Sequence, residues 1–140
     1  MHQHLHLITL GVRDLEISKK FYEEVLVWKL SRPQEGIAFF QAGGVVLALY
    51  PRELLAEDAM VSPQGSGFSG ITLAHNARSE SEVDEIINDL RSKGVKIVKE
   101  PQKVFWGGYS SYFADPDDYY WEVAYNPFFP FDENGSLKLE

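Results

Sequence analysis

The sequence contains no cysteine and only two methionines among its 140 residues. The lack of cysteine excludes disulfide bonds, thiolate metal ligands and a cysteine nucleophile. Basic residues are scarce as well: 13 lysines and arginines stand against 21 aspartates and glutamates, and the formal net charge is −8. Phosphate backbones repel a chain of this charge, so the composition predicts no nucleic-acid partner.

Long apolar runs are also missing. No uninterrupted apolar stretch approaches the roughly 20 residues of a membrane-spanning helix, so no membrane partner is expected. Residues 1–4 do not show the basic and then apolar pattern of a signal peptide. Together with the absence of cysteine, these features predict a cytoplasmic protein. An apolar content of 44% supports a packed core, and the length predicts a single domain over residues 1–140.

An internal repeat organises the chain. The tripeptide Ile-Thr-Leu occurs at residues 8–10 and again at 71–73, and each copy precedes a helical pattern and a short strand ending at proline. Residues 47–50 align with residues 122–125 at the ends of the two copies. This order of elements predicts an α+β fold of two paired β-α-β-β-β modules that form a curled sheet cup. The expected divisions are a first module at 4–51, a linker at 52–67, a second module at 68–127 and a C-terminal tail at 128–140.

Helix and strand signals occur within each module. Ser79 and Glu82 have capping-box spacing, and the apolar residues that follow recur at helical spacing, so a helix is predicted to end near Gly94. Asp14 is a suitable N-cap for the first helix, which is expected to run to about Leu26. The predicted strands cover residues 4–11, 28–31, 37–42, 45–50, 68–75, 95–99, 109–114 and 119–125, with a short helix at 52–59.

Three segments carry a family resemblance: residues 9–15 (Thr-Leu-Gly-Val-Arg-Asp-Leu), residues 112–117 (Tyr-Phe-Ala-Asp-Pro-Asp) and residues 121–123 (Trp-Glu-Val). With the repeat, they resemble the glyoxalase/bleomycin-resistance/dioxygenase (vicinal oxygen chelate) superfamily over residues 5–127. The Asp-Pro-Asp sequence is interpreted as a turn. The family usually has glycine after this turn, whereas this chain has Asp118, and aspartate tolerates a left-handed backbone better than most residues.

The resemblance also implies a metal site. The family's chemistry usually depends on a divalent metal in the cup, with ligands from the first and last strand of each module. The resemblance places these positions at Leu7, Leu47, Gly70 and Glu122. Only the glutamate can coordinate a metal through its side chain, whereas a catalytic site needs about three protein ligands. We therefore predict that the standard metal site is not encoded and that no metal cofactor is bound.

The register of the first strand leaves one alternative open. The histidines at positions 2, 4 and 6 alternate, and on a strand they would share the side opposite to Leu7. We interpret them as an exposed N-terminal surface. A bulge near Leu5 would instead turn His6 into the cup, where it could pair with Glu122.

Glu122 is the predicted catalytic residue. It is either a general base or an anchor for a cationic or hydroxylated ligand, and the structural alternative is a carboxylate held by neighbouring hydroxyls. Ser110 and Tyr112 alternate on the neighbouring strand and are expected to face the same cup. Trp106 lies in a loop at the mouth, where it stacks on a ligand or packs on the rim. The predicted substrate-binding residues are Leu7, Thr9, Leu47, Thr72, Trp106, Ser110 and Tyr112.

The sequence thus predicts a protein that binds a small organic molecule in its cup without the usual metal. It is either a metal-independent enzyme or a sequestering protein similar to the bleomycin-resistance members. The alternative is a metal-dependent lyase or dioxygenase, similar to lactoylglutathione lyase, with rearranged ligands. Family members commonly dimerise, and a solvated tail with three phenylalanines would be unfavourable. A homodimer is therefore expected, with residues 128–131 docked on its interface or over the mouth of the cup.

Overall fold

The structure is a computed structural model that describes residues 1, 3, 5–69 and 71–139. The chain divides into two compact units, residues 1–67 and 68–140. Each unit contains one four-stranded sheet. No helix in the described part of the chain is long and apolar enough to cross a membrane. The combination of two sheets with few helices confirms the predicted α+β fold.

The first unit follows the predicted order of elements. Its strands and helices are β1 (Leu7–Val12), α1 (Leu15–Lys20) with a π-helical continuation (Phe21–Val25), β2 (Leu30–Gln34), β3 (Ile37–Ala42), β4 (Val45–Pro51) and α2 (Arg52–Asp58). The strand order in the sheet is β1-β4-β3-β2. β1 runs parallel to β4, and the other pairs are antiparallel.

The second unit repeats this topology. Its elements are β5 (Thr72–Asn76), α3 (Glu80–Ser92), β6 (Lys96–Lys103), β7 (Tyr109–Ala114) and β8 (Tyr120–Tyr125). The strand order is β5-β8-β7-β6, with β5 parallel to β8. The sheets of the two units therefore have equivalent strand orders, as the internal repeat predicts, whereas the predicted module boundaries stay predictions.

Two strand predictions need the largest corrections. β5 begins at Thr72, so residues 68, 69 and 71 lie outside the strand that was predicted to start at 68. β6 continues to Lys103 instead of ending before Pro101. This strand lies at the edge of its sheet, where a proline without an N–H donor is tolerated.

Local signals at the helix starts and at the Asp-Pro-Asp turn are confirmed. The Asp14 side chain accepts a hydrogen bond from the Ile17 N–H at 3.1 Å. The Ser79 hydroxyl accepts one from the Glu82 N–H, also at 3.1 Å. In the turn, Asp118 has a φ of 59°, which is the left-handed conformation expected for this position.

Each sheet buries one side against its helices. In the first unit, the Tyr22 ring lies 5.6 Å from the ring of Phe40, which therefore faces the α1 side of the sheet. In the second unit, the core comprises Val83, Ile87 and Leu90 of α3 together with Phe113, Trp121 and Val123 of the sheet. Because successive strand residues point to opposite sides, the intervening residues face away from the helices.

Val27 adopts an unfavourable backbone conformation directly after the π-helical segment. Its φ is 58°, and its side chain is 72% exposed. The Trp28 N–H donates to the Tyr22 carbonyl oxygen at 2.8 Å and closes the helix end around this residue, a position that glycine usually occupies. The left-handed conformation costs a residue with a Cβ roughly 1–2 kcal/mol. Glycine is more flexible in the unfolded chain, and this flexibility offsets about 0.5–1 kcal/mol of the stability that a Val27→Gly substitution would gain.

We therefore expect Val27→Gly to raise the free energy of unfolding by about 1 kcal/mol, measured by chemical denaturation. Asp118→Gly is the matched control, because Asp118 has nearly the same φ but is a residue type that tolerates it. Its gain should be smaller. Equal gains at the two positions, or a loss for Val27→Gly, would contradict the interpretation of strain at Val27.

Candidate functional site

The side of the second sheet that faces away from α3 carries the polar residues of the candidate site. Strand pairing places Tyr112 on β7 and Ala74 on β5 on either side of Glu122. Ser110 lies two residues before Tyr112, and Tyr120 lies two residues before Glu122, so both share this side. We call the surface formed by Ala74, Ser110, Tyr112, Tyr120 and Glu122 the Glu122 face.

The Glu122 carboxylate lies beside two hydroxyl groups, those of Ser110 and Tyr112. The Ser110 hydroxyl donates to its Oε2 atom at 2.6 Å. The Tyr112 hydroxyl lies near the same carboxylate, because Tyr112 pairs with Glu122 across β7 and β8. Ser110 is almost completely buried, whereas Tyr112 and Glu122 are half-buried. The carboxylate is therefore held by its neighbours and still reaches solvent.

The same contact affects the protonation of Tyr112. Burial raises the pKa of its hydroxyl, and the negative charge of Glu122 and the hydrogen bond to it raise the pKa further. Because an ordinary tyrosine already has a pKa near 10, the Tyr112 hydroxyl stays protonated at neutral pH. It therefore acts as a hydrogen-bond donor towards Glu122.

Trp106 lies at one end of the Glu122 face, in the loop between β6 and β7. Its ring covers Gly108 so closely that a Cβ atom at this position would overlap the ring. Position 108 lies two residues before Ser110 and four before Tyr112, and alternate residues point to the same side of a sheet. The ring therefore lies on the same side of the sheet as they do. This contact is rim packing, and ligand stacking by Trp106 stays a prediction.

Tyr120 forms the other end of the face and has an aromatic neighbour that the sequence analysis did not single out. The ring centroids of Phe68 and Tyr120 lie 6.3 Å apart, with an angle of 26° between the ring planes. Phe68 precedes β5 and is 66% exposed. No local pattern marks it, because the contact joins residues far apart in the sequence. Thr72, a predicted ligand contact, pairs with Tyr120 on the exposed edge strand.

The predicted residues of the first unit do not share one side of their sheet. Leu7 pairs with Val46, and Thr9 pairs with Ala48. Leu47 lies between these partners, and it pairs with Phe40 on the α1 side of the sheet. The predicted ligand contact by Leu47 is therefore wrong.

The error is shared by the family resemblance, which placed a site position at Leu47, and by the alignment of the two repeats. Matching residues 47–50 with 122–125 made Leu47 the counterpart of Glu122. The strand pairing shows that the counterpart is Ala48, which pairs with Phe39 and Thr9 as Glu122 pairs with Tyr112 and Ala74. A shift of one residue reverses the side of the sheet.

The side chains present do not fit the metal that the family resemblance implies. Among the described residues, no group of three or more histidines, cysteines, aspartates or glutamates is placed to hold a metal ion. The counterpart of Glu122 in the first unit is an alanine, which offers no ligand atom. His6 is exposed and precedes β1. The predicted position Gly70 and the histidines at 2 and 4 lie outside the described residues.

The C-terminal tail packs on the second unit. Phe131 forms a bridge with Leu137, and the Arg78 guanidinium lies 4.6 Å from the centre of the Phe131 ring. The Phe128 ring contacts Gly107 in the loop that carries Trp106. Phe128 is still 71% exposed, so this contact covers only part of its ring.

Comparison with known proteins agrees with this fold. The model of the Glyoxalase/Bleomycin resistance protein/Dioxygenase superfamily matches residues 4–123. A glyoxalase-related enzyme from Fulvimarina pelagi is 36% identical over 99% of both chains, with a TM-score of 0.89. A glyoxalase/bleomycin resistance protein/dioxygenase from Nocardioides is 30% identical over 89% of this chain and 84% of its own, with a TM-score of 0.76.

A third structure shares the fold at lower identity. Lactoylglutathione lyase from Agrobacterium tumefaciens is 22% identical over 94% of this chain and all of its own, with a TM-score of 0.73. The family model covers most of the chain, and the Fulvimarina relative matches it nearly from end to end. The chain therefore belongs to the glyoxalase/bleomycin resistance protein/dioxygenase superfamily.

Proposed function

We propose that this protein binds a small organic molecule on the Glu122 face and that it needs no bound metal to do so. The observation that supports this proposal is the Glu122 carboxylate, which is oriented by the hydroxyls of Ser110 and Tyr112 and open to solvent. Glu122 then either accepts a hydrogen bond from the ligand or removes a proton from it.

The chemistry of the carboxylate supports both roles. An ionised carboxylate has about four acceptor positions, and the Ser110 hydroxyl occupies one of them. The remaining positions suit a ligand hydroxyl or ammonium group. A carboxylate at a fixed position can also act as a general base when a ligand places an acidic proton within hydrogen-bond reach. The first role suits a sequestering protein, and the second suits a metal-independent enzyme.

Glu122→Gln tests the proposal, because it removes the charge and keeps the shape. A panel of small alcohols and amines is screened by the rise in melting temperature, and NMR time courses then detect conversion of the compounds that bind. For an enzyme, the substitution should abolish turnover and spare binding. For a sequestering protein, no turnover occurs, and the substitution should weaken binding about tenfold, because a hydrogen bond to a charged group is lost.

Glu85→Gln is the matched control. It makes the same change of charge at an exposed position on α3, which packs on the opposite side of the sheet. Binding and turnover should stay at the wild-type level in this variant. A compound whose binding and conversion are the same in wild type and Glu122→Gln would contradict the proposed role of Glu122.

The metal content of the purified protein is a separate prediction. We expect no tightly bound zinc, nickel, manganese or iron after extensive dialysis, because Glu122 is the one metal-binding side chain among the positions that the family resemblance assigns. Elemental analysis measures this directly. A content of about one equivalent per chain that disappears in Glu122→Ala would overturn the prediction and support the metal-dependent lyase or dioxygenase alternative.

We further propose a cytoplasmic homodimer. The exposed aromatic surface of the tail supports association, because Phe128 and Phe129 keep 71% and 39% of their surface accessible. Light scattering coupled to size-exclusion chromatography determines the mass in solution. A monomer whose tail is mobile in solution scattering would contradict the proposed assembly.

A further inference from the structure

A stacked aromatic pair, Phe68 and Tyr120, lies at the end of the Glu122 face. We infer that the ligand of the Glu122 face carries an aromatic ring, which packs on Phe68 and Tyr120 while a hydroxyl or amine of the same ligand donates to Glu122. This inference rests on the proposed function, because it names the class of compound that binds at the same site.

The geometry of β8 determines the distance between the ring and the donor group of such a ligand. Tyr120 and Glu122 are two residues apart on one strand, so their side chains leave the same side of the sheet about 7 Å apart. A ring on the aromatic pair and a donor at the carboxylate therefore need a link of about two carbon atoms at this spacing. Ala74, the neighbour of Glu122 on the edge strand, is exposed, and its short side chain leaves space beside the carboxylate.

The aromatic pair is suited to stack on a further ring. The rings of Phe68 and Tyr120 are stacked, with 26° between their planes, and Phe68 keeps 66% of its surface exposed. Phe68 is therefore not a core residue but an exposed apolar surface that extends from Tyr120, the neighbour of Glu122 on β8. Aromatic rings attract each other in offset-stacked and edge-to-face arrangements, and this attraction exceeds the effect of buried area alone. A saturated ring of the same size is stabilised only by the apolar area that it buries.

Trp106 is a further aromatic residue on this side of the sheet, and it is less suited to the role. Its ring is packed against Gly108, which lies two residues before Ser110. The row that contains Ser110 and Ala124 separates this ring from the row of Tyr112 and Glu122. Tyr120 is the nearest aromatic residue to Glu122 on the same strand and the same side of the sheet. A small ligand bound at Glu122 therefore contacts Tyr120 more readily than Trp106.

Two matched pairs of compounds test the inference. 2-Phenylethanol and 2-phenylethylamine carry an aromatic ring and a donor on a two-carbon link, and 2-cyclohexylethanol and 2-cyclohexylethylamine are their saturated counterparts. Dissociation constants are measured by NMR titration, which detects weak binding. The wild-type protein should prefer each aromatic compound over its counterpart about three- to tenfold.

Substitutions then locate the preference. Phe68→Leu and Tyr120→Leu keep an apolar side chain and remove the ring, so each should bring the ratio of the two constants close to one. Phe105→Leu is the control, because Phe105 is fully exposed in the loop that carries Trp106. This variant should keep the wild-type preference.

The outcomes separate this inference from the proposed function. Equal binding of aromatic and saturated compounds to the wild type, weakened for all of them by Glu122→Gln, would overturn the inference and leave the proposed function intact. A preference that survives in both Phe68→Leu and Tyr120→Leu would also overturn it. Absence of binding by all four compounds, or binding without conversion that Glu122→Gln leaves unchanged, would count against the proposed function itself.

Discussion

Leu47→Ala is expected to lower the free energy of unfolding by about 2–5 kcal/mol, the usual range for truncating a buried leucine. The Leu47 side chain is 3% exposed and lies next to Phe40 on the α1 side of the first sheet. Alanine at this position leaves a cavity between the sheet and the helix. Chemical denaturation followed by circular dichroism measures the change.

Leu7→Ala is the control for this prediction. The same side chain is removed at a position that is 43% exposed, so the loss should be below about 1 kcal/mol. A small loss of stability for Leu47→Ala, combined with weaker ligand binding, would instead show that Leu47 contacts the ligand. The pair of variants therefore tests the side of the sheet on which Leu47 lies.

Gly108→Ala is expected to displace the Trp106 ring and to destabilise the protein by about 1–3 kcal/mol, the usual cost of overpacking. The new methyl group would occupy the volume of the ring, so the tryptophan must leave its place. Tryptophan fluorescence should shift as the ring enters solvent, and chemical denaturation measures the loss of stability.

Two controls test whether the loss of stability comes from the clash between the new methyl group and the Trp106 ring. Gly44→Ala adds the same methyl group where no atom lies within 4 Å, so its effect should be close to zero. In Trp106→Ala, the ring is absent, and adding Gly108→Ala to this variant should cost little. Additive losses in the double variant would show that the two positions do not interact. Equal losses for Gly44→Ala and Gly108→Ala would contradict the predicted clash.

Features that depend on neighbouring residues could be predicted from the sequence. The N-caps Asp14 and Ser79 each bond a backbone N–H three residues ahead, so their role is visible in a short window. The left-handed Asp118 follows from the Asp-Pro-Asp turn in the same way. The duplicated order of elements was visible as well, because each module repeats the same local patterns.

Side-chain direction could be predicted only where the strand was anchored nearby. The resemblance assigned Glu122 shortly after the turn at residues 115–118, and alternation along β8 puts it on the opposite side of the sheet from the buried Val123 and Trp121. No such marker precedes β4, whose side-chain directions were inferred from the family resemblance and a repeat alignment. The error of one residue at Leu47 followed, because alternation converts a one-residue shift into the opposite side of the sheet.

The sequence by itself determined the α+β class, the repeated topology, the family and the chemical groups available at Glu122, Ser110 and Tyr112. These depend on residue types and on patterns of short range. Only the tertiary structure decided that Leu47 is buried beneath α1, that Trp106 covers Gly108 and that Phe68 stacks on Tyr120. Strand register and the path of loops bring these groups together. Both arise from packing between distant parts of the chain, which no local pattern records.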